Sequence, residues 1–261
     1  RFSDIAMPLG GLGLLQDTII QLAGIQRKPV PIIRPRAAVI FCADNGVVAE
    51  GVTQCGQDVT ATVTRNMGQG RSTMCMMAKS IDMDVFPVDI GVAEKFSFKG
   101  VADKKIRKGT ENIAKNAAMT RDEAIAAVKT GIELAENCAQ QGFRLVCGGE
   151  MGIGNTTTSS AVASVLLGCD PLLVTGRGAG LSDSGLSRKL EAIKKAIKLH
   201  HPDPEDPLSV LSMLGGFDIA GMVGLYLGGA LYQVPVLIDG VISAVAALLA
   251  VKICPASKKA M

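Results

Sequence analysis

The chain is predicted to fold as a doubly wound, mainly parallel α/β sheet, and three observations carry that expectation. Short apolar runs rich in Val, Ile and Phe alternate with longer helical stretches. Aromatic residues make up 3% of the chain and Trp is absent, against 30 Gly, whereas sandwiches and barrels draw more heavily on aromatics. The apolar runs end in Asp-Asn-Gly, Gly-Gly-Glu or Asp-Gly, and helical stretches follow them. That is the pattern of strands buried on both faces and joined by crossover helices.

Taken in order, residues 14–26 read as a helix. Residues 37–42 form a buried strand that ends at Ala43-Asp44-Asn45-Gly46, and a helix fills 57–80. Residues 83–90 form a second strand, closing in Asp89 and Gly91. Thr120 with Glu123 three residues on is a capping box that opens a helix to about residue 141. A third strand spans 143–147 and ends in Gly148-Gly149-Glu150. Helices follow near 155–167, 184–200 and 207–214. From 221 to 251 Asp239 is the one charged residue, so the hydropathy imitates a membrane span. Pro235 and the glycines at 224, 228, 229 and 240 divide this stretch into a helix near 217–230, a strand at 234–238 and a helix near 241–252. Each piece is too short for about 30 Å of hydrocarbon, and no membrane association is expected.

Composition narrows the function further. At 261 residues, 48% hydrophobic and 20% charged, the chain has ordinary globular content. A net charge of +3, with no basic run interleaved with aromatics, argues against nucleic acid. The seven cysteines show no CxxC spacing and sit in apolar stretches, as small buried hydrophobes in a reduced compartment do. The two histidines, His200 and His201, are adjacent at a helix end and read as surface groups, so no metal site is expected. The Met cluster at 74, 76 and 77 reads as core filler. The chain starts at Arg1 with no basic-then-apolar leader, and it is read as a piece of a cytoplasmic protein whose true start lies upstream.

Ligands of such sheets sit beyond the carboxyl ends of the strands, which shortlists Asp44, Asp89, Glu150 and Asp239. Their alternative task is to cap the helices that follow. The sharpest segment is 148–158, Gly-Gly-Glu-Met-Gly-Ile-Gly-Asn-Thr-Thr-Thr, a glycine turn that enters a helix. Bare amides at a helix N-terminus beside hydroxyls form an anion site suited to a phosphate; a plain N-cap with a tight turn explains less of the pattern. It is neither a Walker loop nor a complete GxGxxG, since Thr157 stands where the third Gly belongs. A second run, Gly176-Arg177-Gly178-Ala179-Gly180, precedes a helix carrying Arg188 and Lys189. These are either fixed cations for a monophosphate or part of a solvated basic face with Lys194, Lys195 and Lys198.

The segment 150–158 resembles a signature of nicotinate-nucleotide–dimethylbenzimidazole phosphoribosyltransferases. The segments 8–13, 42–47, 88–91, 176–181, 214–218 and 236–240 agree with that family in order, so the resemblance covers essentially the whole chain. It implies a Rossmann-like sheet with a small helical domain made by the chain ends, here 1–33 beside an α/β nucleotide-binding domain at 34–261, and a homodimer. It implies transfer of the phosphoribosyl group of nicotinate mononucleotide to 5,6-dimethylbenzimidazole, with inversion at C1′ and no cofactor. Gly152, Gly154, Asn155, Thr156, Thr157, Arg177, Gly178, Lys189 and Asp239 are then expected at the nucleotide, and Asp44, Cys55 and Met151 at the benzimidazole. Glu150 is expected to stabilise the positive charge that departing nicotinate leaves on the ribose. The family's Lys before the first glycine motif is Met7 here, and Asn45 stands where many members have His. Its proposed general base, a Glu in a Glu-Gly-Thr/Ser-Gly-Ala motif, is not among residues 1–261, and the chain is expected to be truncated before it. The alternatives are a non-catalytic nucleotide-binding homologue and a nicotinamide dehydrogenase, for which the dinucleotide fingerprint is incomplete.

Overall fold

The structure is a computed structural model describing residues 4–8, 10–95 and 97–261; Arg1 and Leu9 of the 8–13 motif lie outside the described residues. Five strands, β1 (Arg36–Ala43), β2 (Met83–Gly91), β3 (Ala102–Asp103), β4 (Leu145–Met151) and β5 (Val236–Leu237), form one sheet in the order β3-β2-β1-β4-β5, with every pairing parallel. The chain reverses its direction of winding between β1 and β4, so the crevice beyond their carboxyl ends is the natural ligand position.

Alternation along β1 supplies both faces of the sheet. Ala37, Val39, Phe41 and Ala43 enter the larger core, and Ala38, Ile40 and Cys42 enter a second, smaller one. The smaller core is closed by α2 (Asp58–Gly68) and α3 (Thr73–Lys79). The larger is closed by α4 (Arg121–Gln140), α5 (Asn155–Leu167), α7 (Asp183–His200), α8 (Pro207–Leu214), α9 (Phe217–Tyr232) and α10 (Gly240–Ile253). The capping box at Thr120 and Glu123 forms as expected. Helices α4 and α9 cross at Gly131, Gly224 and Gly228. A Cβ at Gly131 would lie 2.7 Å from the Leu225 nitrogen and one at Gly228 would lie 2.5 Å from the Ala135 Cβ, so the absence of side chains brings these helices together.

Four expectations need correction. The helix expected at 57–80 is two, because Gly68 packs directly on the Gly100 backbone and Gly70 turns the chain at φ +70° before Ser72 caps α3. The third strand does not stop at 147 but runs to Met151. Gly148 and Gly149 belong to it and leave room for Leu225 and Ile40. The fourth expected strand contracts to Val236–Leu237. Met76 and Met77 are exposed on α3, and only Met74 packs against the core. Strand β3, the short α6 (Pro171–Val174) and the 3-10 turns Gly46–Glu50 and Pro255–Ala260 were not anticipated. Among the cysteines Cys42, Cys75 and Cys138 are buried, whereas Cys55 and Cys254 are exposed. Helix α1 (Leu14–Gln26) buries none of its residues. Among the described residues no helix is long and apolar enough to cross a membrane.

Candidate active site

The glycine turn begins at Gly152, where β4 ends, and enters α5 at Asn155. Gly154 caps the helix with φ +98°, a backbone region that favours glycine. Thr and Ser are weak helix formers, yet α5 opens Asn-Thr-Thr-Thr-Ser-Ser. Its hydroxyls bond backward along the helix or to neighbouring carbonyls: Thr158 to Asn155 O, and Ser160 to Thr156 O and Val174 O. Part of the turn's own hydrogen bonding is internal. The Ile153 N–H donates to Thr60 Oγ1, that of Asn155 to Gly152 O and that of Thr157 to Gly154 O. The turn is therefore less open than a row of bare amides, and three of its donors are committed.

The cation that faces it comes from α7. Gly185, Lys189, Ala192, Ile193 and Ala196 lie on the buried stripe of this amphipathic helix, while Lys194, Lys195 and Lys198 are exposed. Lys189 is 0% exposed. Its Nζ donates to Thr156 Oγ1 at 2.8 Å and to Gly176 O at 3.1 Å, which ties the first glycine turn to the second. Among the described residues no carboxylate pairs with it. Burial pulls its pKa down to about 8. An ammonium taken from water without a counter-charge is costly, and an anionic ligand offsets that cost.

Thr156 and Gly178 form the wall in front of this ammonium. A Cβ on Gly178, whose φ is +57°, would sit 3.1 Å from Thr156 Oγ1 and 3.6 Å from Lys189 Nζ. The wall belongs to a cavity of about 120 Å³ whose lining includes Cys55, Gly152, Gly154, Asn155, Thr156 and Arg177. That is below the roughly 300 Å³ at which pockets for whole drug-sized ligands begin, and it suits the anionic end of a larger molecule. The side chain of Gln54 bonds Gly180 O across its mouth.

On the other side of the turn stands a carboxylate pair. The Asn155 carboxamide donates to Glu150 Oε2 and, at 2.8 Å, to Asp218 Oδ2. Burial, then the charge of Asp218, pushes the Glu150 carboxyl up to about 7; burial pushes Asp218 up to about 6. A buried ammonium and a pair of buried carboxylates thus flank one glycine turn, and neither the ammonium nor the carboxylates line the cavity.

Comparison with known proteins fits this arrangement. A phosphoribosyltransferase family model (DBI_PRT) matches residues 1–261. The chain belongs to this family. The nicotinate-nucleotide–dimethylbenzimidazole phosphoribosyltransferase of Acetivibrio thermocellus is 50% identical over 258 residues, covering 99% of this chain and 74% of that protein. The enzyme of the same name from Ruminiclostridium cellulolyticum is 49% identical over 255 residues, covering 98% of this chain and 72% of its own. The crystal structure of CobT from Thermus thermophilus superposes with a TM-score of 0.93 at 36% identity, over 98% of this chain and 77% of that one. This phosphoribosyltransferase is accordingly an enzyme with a parallel α/β sheet.

The remaining expected site residues divide. Arg177 borders the cavity, and its guanidinium is turned to Leu181 O and Asp183, closing the second glycine run. Thr157 is fully buried, its hydroxyl meets no hydrogen-bond partner among the described residues, and it does not line the cavity. Gly152 borders the cavity, yet a Cβ there would lie 2.5 Å from both Ala43 O and Asp218 Oδ2, which is a packing reason for glycine. Asp239 is exposed at the start of α10, where its backbone, not its carboxylate, bonds Ser243; the structure does not bring it to the cavity. Asp44 is buried at the end of β1 and accepts from Ala93 N at 2.8 Å, with Oδ1 unpartnered and burial raising its pKa. Asp89 is paired with Lys105 at 3.1 Å. Met151 is half-buried against the smaller core. His200 bonds Ile113 O at 2.8 Å. Sequence reading gave Asp218 no role of its own. Its signal was there: it is the only charged residue in the apolar run of α9.

Proposed function

We propose that this phosphoribosyltransferase moves the phosphoribosyl group of nicotinate mononucleotide to a nitrogen of 5,6-dimethylbenzimidazole, giving α-ribazole 5′-phosphate and nicotinate in cobalamin biosynthesis. The observation that carries the reading is Lys189, a wholly buried ammonium with no counter-ion among the described residues, at the junction of the two glycine runs. The 5′-phosphate enters the cavity at Gly154, Thr156 and Gly178 and supplies the missing charge. That anchor places the ribose toward Glu150. As the bond from C1′ to nicotinate lengthens, positive charge grows on the ribose, and an ionised Glu150 stabilises it. With its carboxyl near 7, Glu150 is substantially ionised at neutral pH and more so above it. Benzimidazole approaches from the opposite face of the ribose, consistent with inversion, along the Cys55 side of the cavity.

The benzimidazole N–H proton needs an acceptor. The one expected from the family resemblance belongs to a Glu-Gly-Thr/Ser-Gly-Ala motif that residues 1–261 do not contain. The chain spans about three quarters of the length of the relatives it matches. The homodimer, the cytoplasmic location and the division at residues 33 and 34 are part of the same proposal. The division is supported by α1, which buries no residue against the α/β body. The test is chromatographic: the complete protein mixed with nicotinate mononucleotide and dimethylbenzimidazole is expected to yield α-ribazole phosphate and nicotinate in equal amounts. Binding of the mononucleotide without product would instead favour a non-catalytic nucleotide-binding protein.

A further inference from the structure

Asp218 is a buried carboxylate with no task in the reaction as written. It lies in the first turn of α9, is 0% exposed, and is the only charge in an otherwise apolar helix. We infer that Asp218 is a positioning residue for Glu150: through the Asn155 carboxamide, which bonds both carboxylates, it fixes where the Glu150 carboxylate points and sets a second negative charge beside it. The inference rests on the reading of Glu150 as the group facing the ribose.

The geometry is specific. A carboxamide nitrogen carries two hydrogens, and Asn155 gives one to Glu150 Oε2 and the other to Asp218 Oδ2. The second oxygen of Asp218 accepts from the Ile219 N–H at 3.0 Å, so the carboxylate cannot rotate without breaking a bond. Two glycines make room for it. A Cβ on Gly152 would press on Asp218 Oδ2, and one on Gly216 would press on Oδ1 and on Asn45 Oδ1. The glycine turn of β4 and the Gly-Gly before α9 thus close over one carboxylate. This packing gives Gly152 a purpose that phosphate binding does not require.

The chemistry follows from two like charges bridged by one amide. Burial makes both carboxylates harder to ionise than in water. The Asn155 bond favours the charged form of Glu150, while Asp218 opposes it. Other charges around the site are occupied elsewhere. Asp239 acts on Cys147 and Tyr226; Asp89 and Lys105 act on Asp44, and Lys105 and Asp103 act on Asp89. Asp58 and Arg65 of α2 and Lys252 of α10 are exposed. The Asn155 amide holds both carboxylates and leaves Glu150 with a charge to offer the ribose.

The experiment compares the complete wild-type protein with Asp218→Asn, Asn155→Ala and Glu150→Gln, following kcat/KM from about pH 5 to 9. Asp218→Asn keeps the shape, removes the charge and gives up one of the two accepted hydrogen bonds, since a carboxamide has a single oxygen, and the acid limb is expected to move down by about one pH unit. The mononucleotide KM at pH 8 should stay within about twofold. Asn155→Ala removes the bond that favours the charged form, so its limb moves up and kcat falls. Movements in opposite directions are not expected of a merely structural pair. Carboxyl-carbon NMR of the same variants, with the Glu150 resonance assigned by its loss in Glu150→Gln, reads the same shifts without turnover. The inference therefore stays testable even if the wild type forms no α-ribazole phosphate, a result that would count against the proposed reaction alone. Should Asp218→Asn not fold, Asn155→Ala and its NMR titration decide. An unmoved Glu150 titration in the folded variants, with only kcat or Tm reduced, overturns the inference.

Discussion

Replacing Lys189 with Met keeps the length of the side chain and removes its charge. In the free protein this ammonium is wholly buried, and its pKa falls from 10.5 to about 8 through burial. That drop corresponds to about 3 kcal/mol of unfavourable interaction carried by the charged form. The substitution also forfeits hydrogen bonds to Thr156 Oγ1 and Gly176 O, worth about 1 kcal/mol each. The balance is a free protein about 1 kcal/mol more stable, or about 2–4 °C higher in Tm for a chain of this size. Phosphate binding moves the other way. Loss of a charge-assisted hydrogen bond of about 1.5–3 kcal/mol weakens mononucleotide affinity by about ten- to a hundredfold. Thermal unfolding without ligand and titration calorimetry with nicotinate mononucleotide read the two halves separately. A variant that keeps wild-type affinity refutes the assignment of Lys189 to the phosphate. One that loses affinity and also several degrees of Tm shows that the lysine holds the two glycine runs together instead.

Three further outcomes follow from the same structure. Mononucleotide affinity is expected to be level between about pH 7, where the phosphate is fully ionised, and pH 8, and to decline above that as Lys189 loses its proton, with proton uptake on binding near pH 8, seen as a buffer-dependent calorimetric enthalpy. The stability of the free protein has the opposite slope. Between about pH 8 and 10.5 the unfolded chain holds the lysine proton that the folded protein has shed, so this group's contribution rises with pH across that window. Glu150→Gln is expected to lower turnover by about a hundredfold or more while leaving mononucleotide binding nearly intact; unchanged turnover removes Glu150 from the mechanism. Gly131→Ala pushes a methyl group into the Leu225 backbone and is expected to cost about 1–3 kcal/mol, read as a lowered Tm, and a neutral result would show that α4 and α9 can separate freely.

Much of the fold was legible because burial and period act together in an α/β sheet. Strands β1 and β2 announced themselves as short apolar runs, and α4 declared its start through Thr120 and Glu123. What misled was glycine. Gly148 and Gly149 look like the beginning of a loop, yet they continue β4 because Leu225 and Ile40 need the space, a tertiary requirement with no local trace. Gly68 split the helix expected at 57–80 for a similar reason.

The candidate site divides along the same line. The turn at 152–156 was visible in sequence, and so was the shortlist of strand-end carboxylates that included Glu150. Lys189 looked ambiguous among Lys194, Lys195 and Lys198, although its spacing from Gly185, Ala192, Ile193 and Ala196 already sets it on the apolar stripe. Asp218 was read only as part of a motif, because the hydrogen bond that ties it to the turn comes from Asn155, 63 residues earlier. Asp239, shortlisted at a strand end, lies instead at the solvent-facing start of α10, because β5 already stops at Leu237.

The central claim is that an anion completes the charge of Lys189 between the two glycine runs, and a crystal structure of the complete protein with nicotinate mononucleotide tests it most directly. The account predicts the phosphate against Gly154, Thr156 and Gly178 with Lys189 Nζ turned toward it, and C1′ directed at Glu150. A phosphate seated instead on the exposed face of Lys194, Lys195 and Lys198, with Lys189 still held only by Thr156 and Gly176, would contradict it.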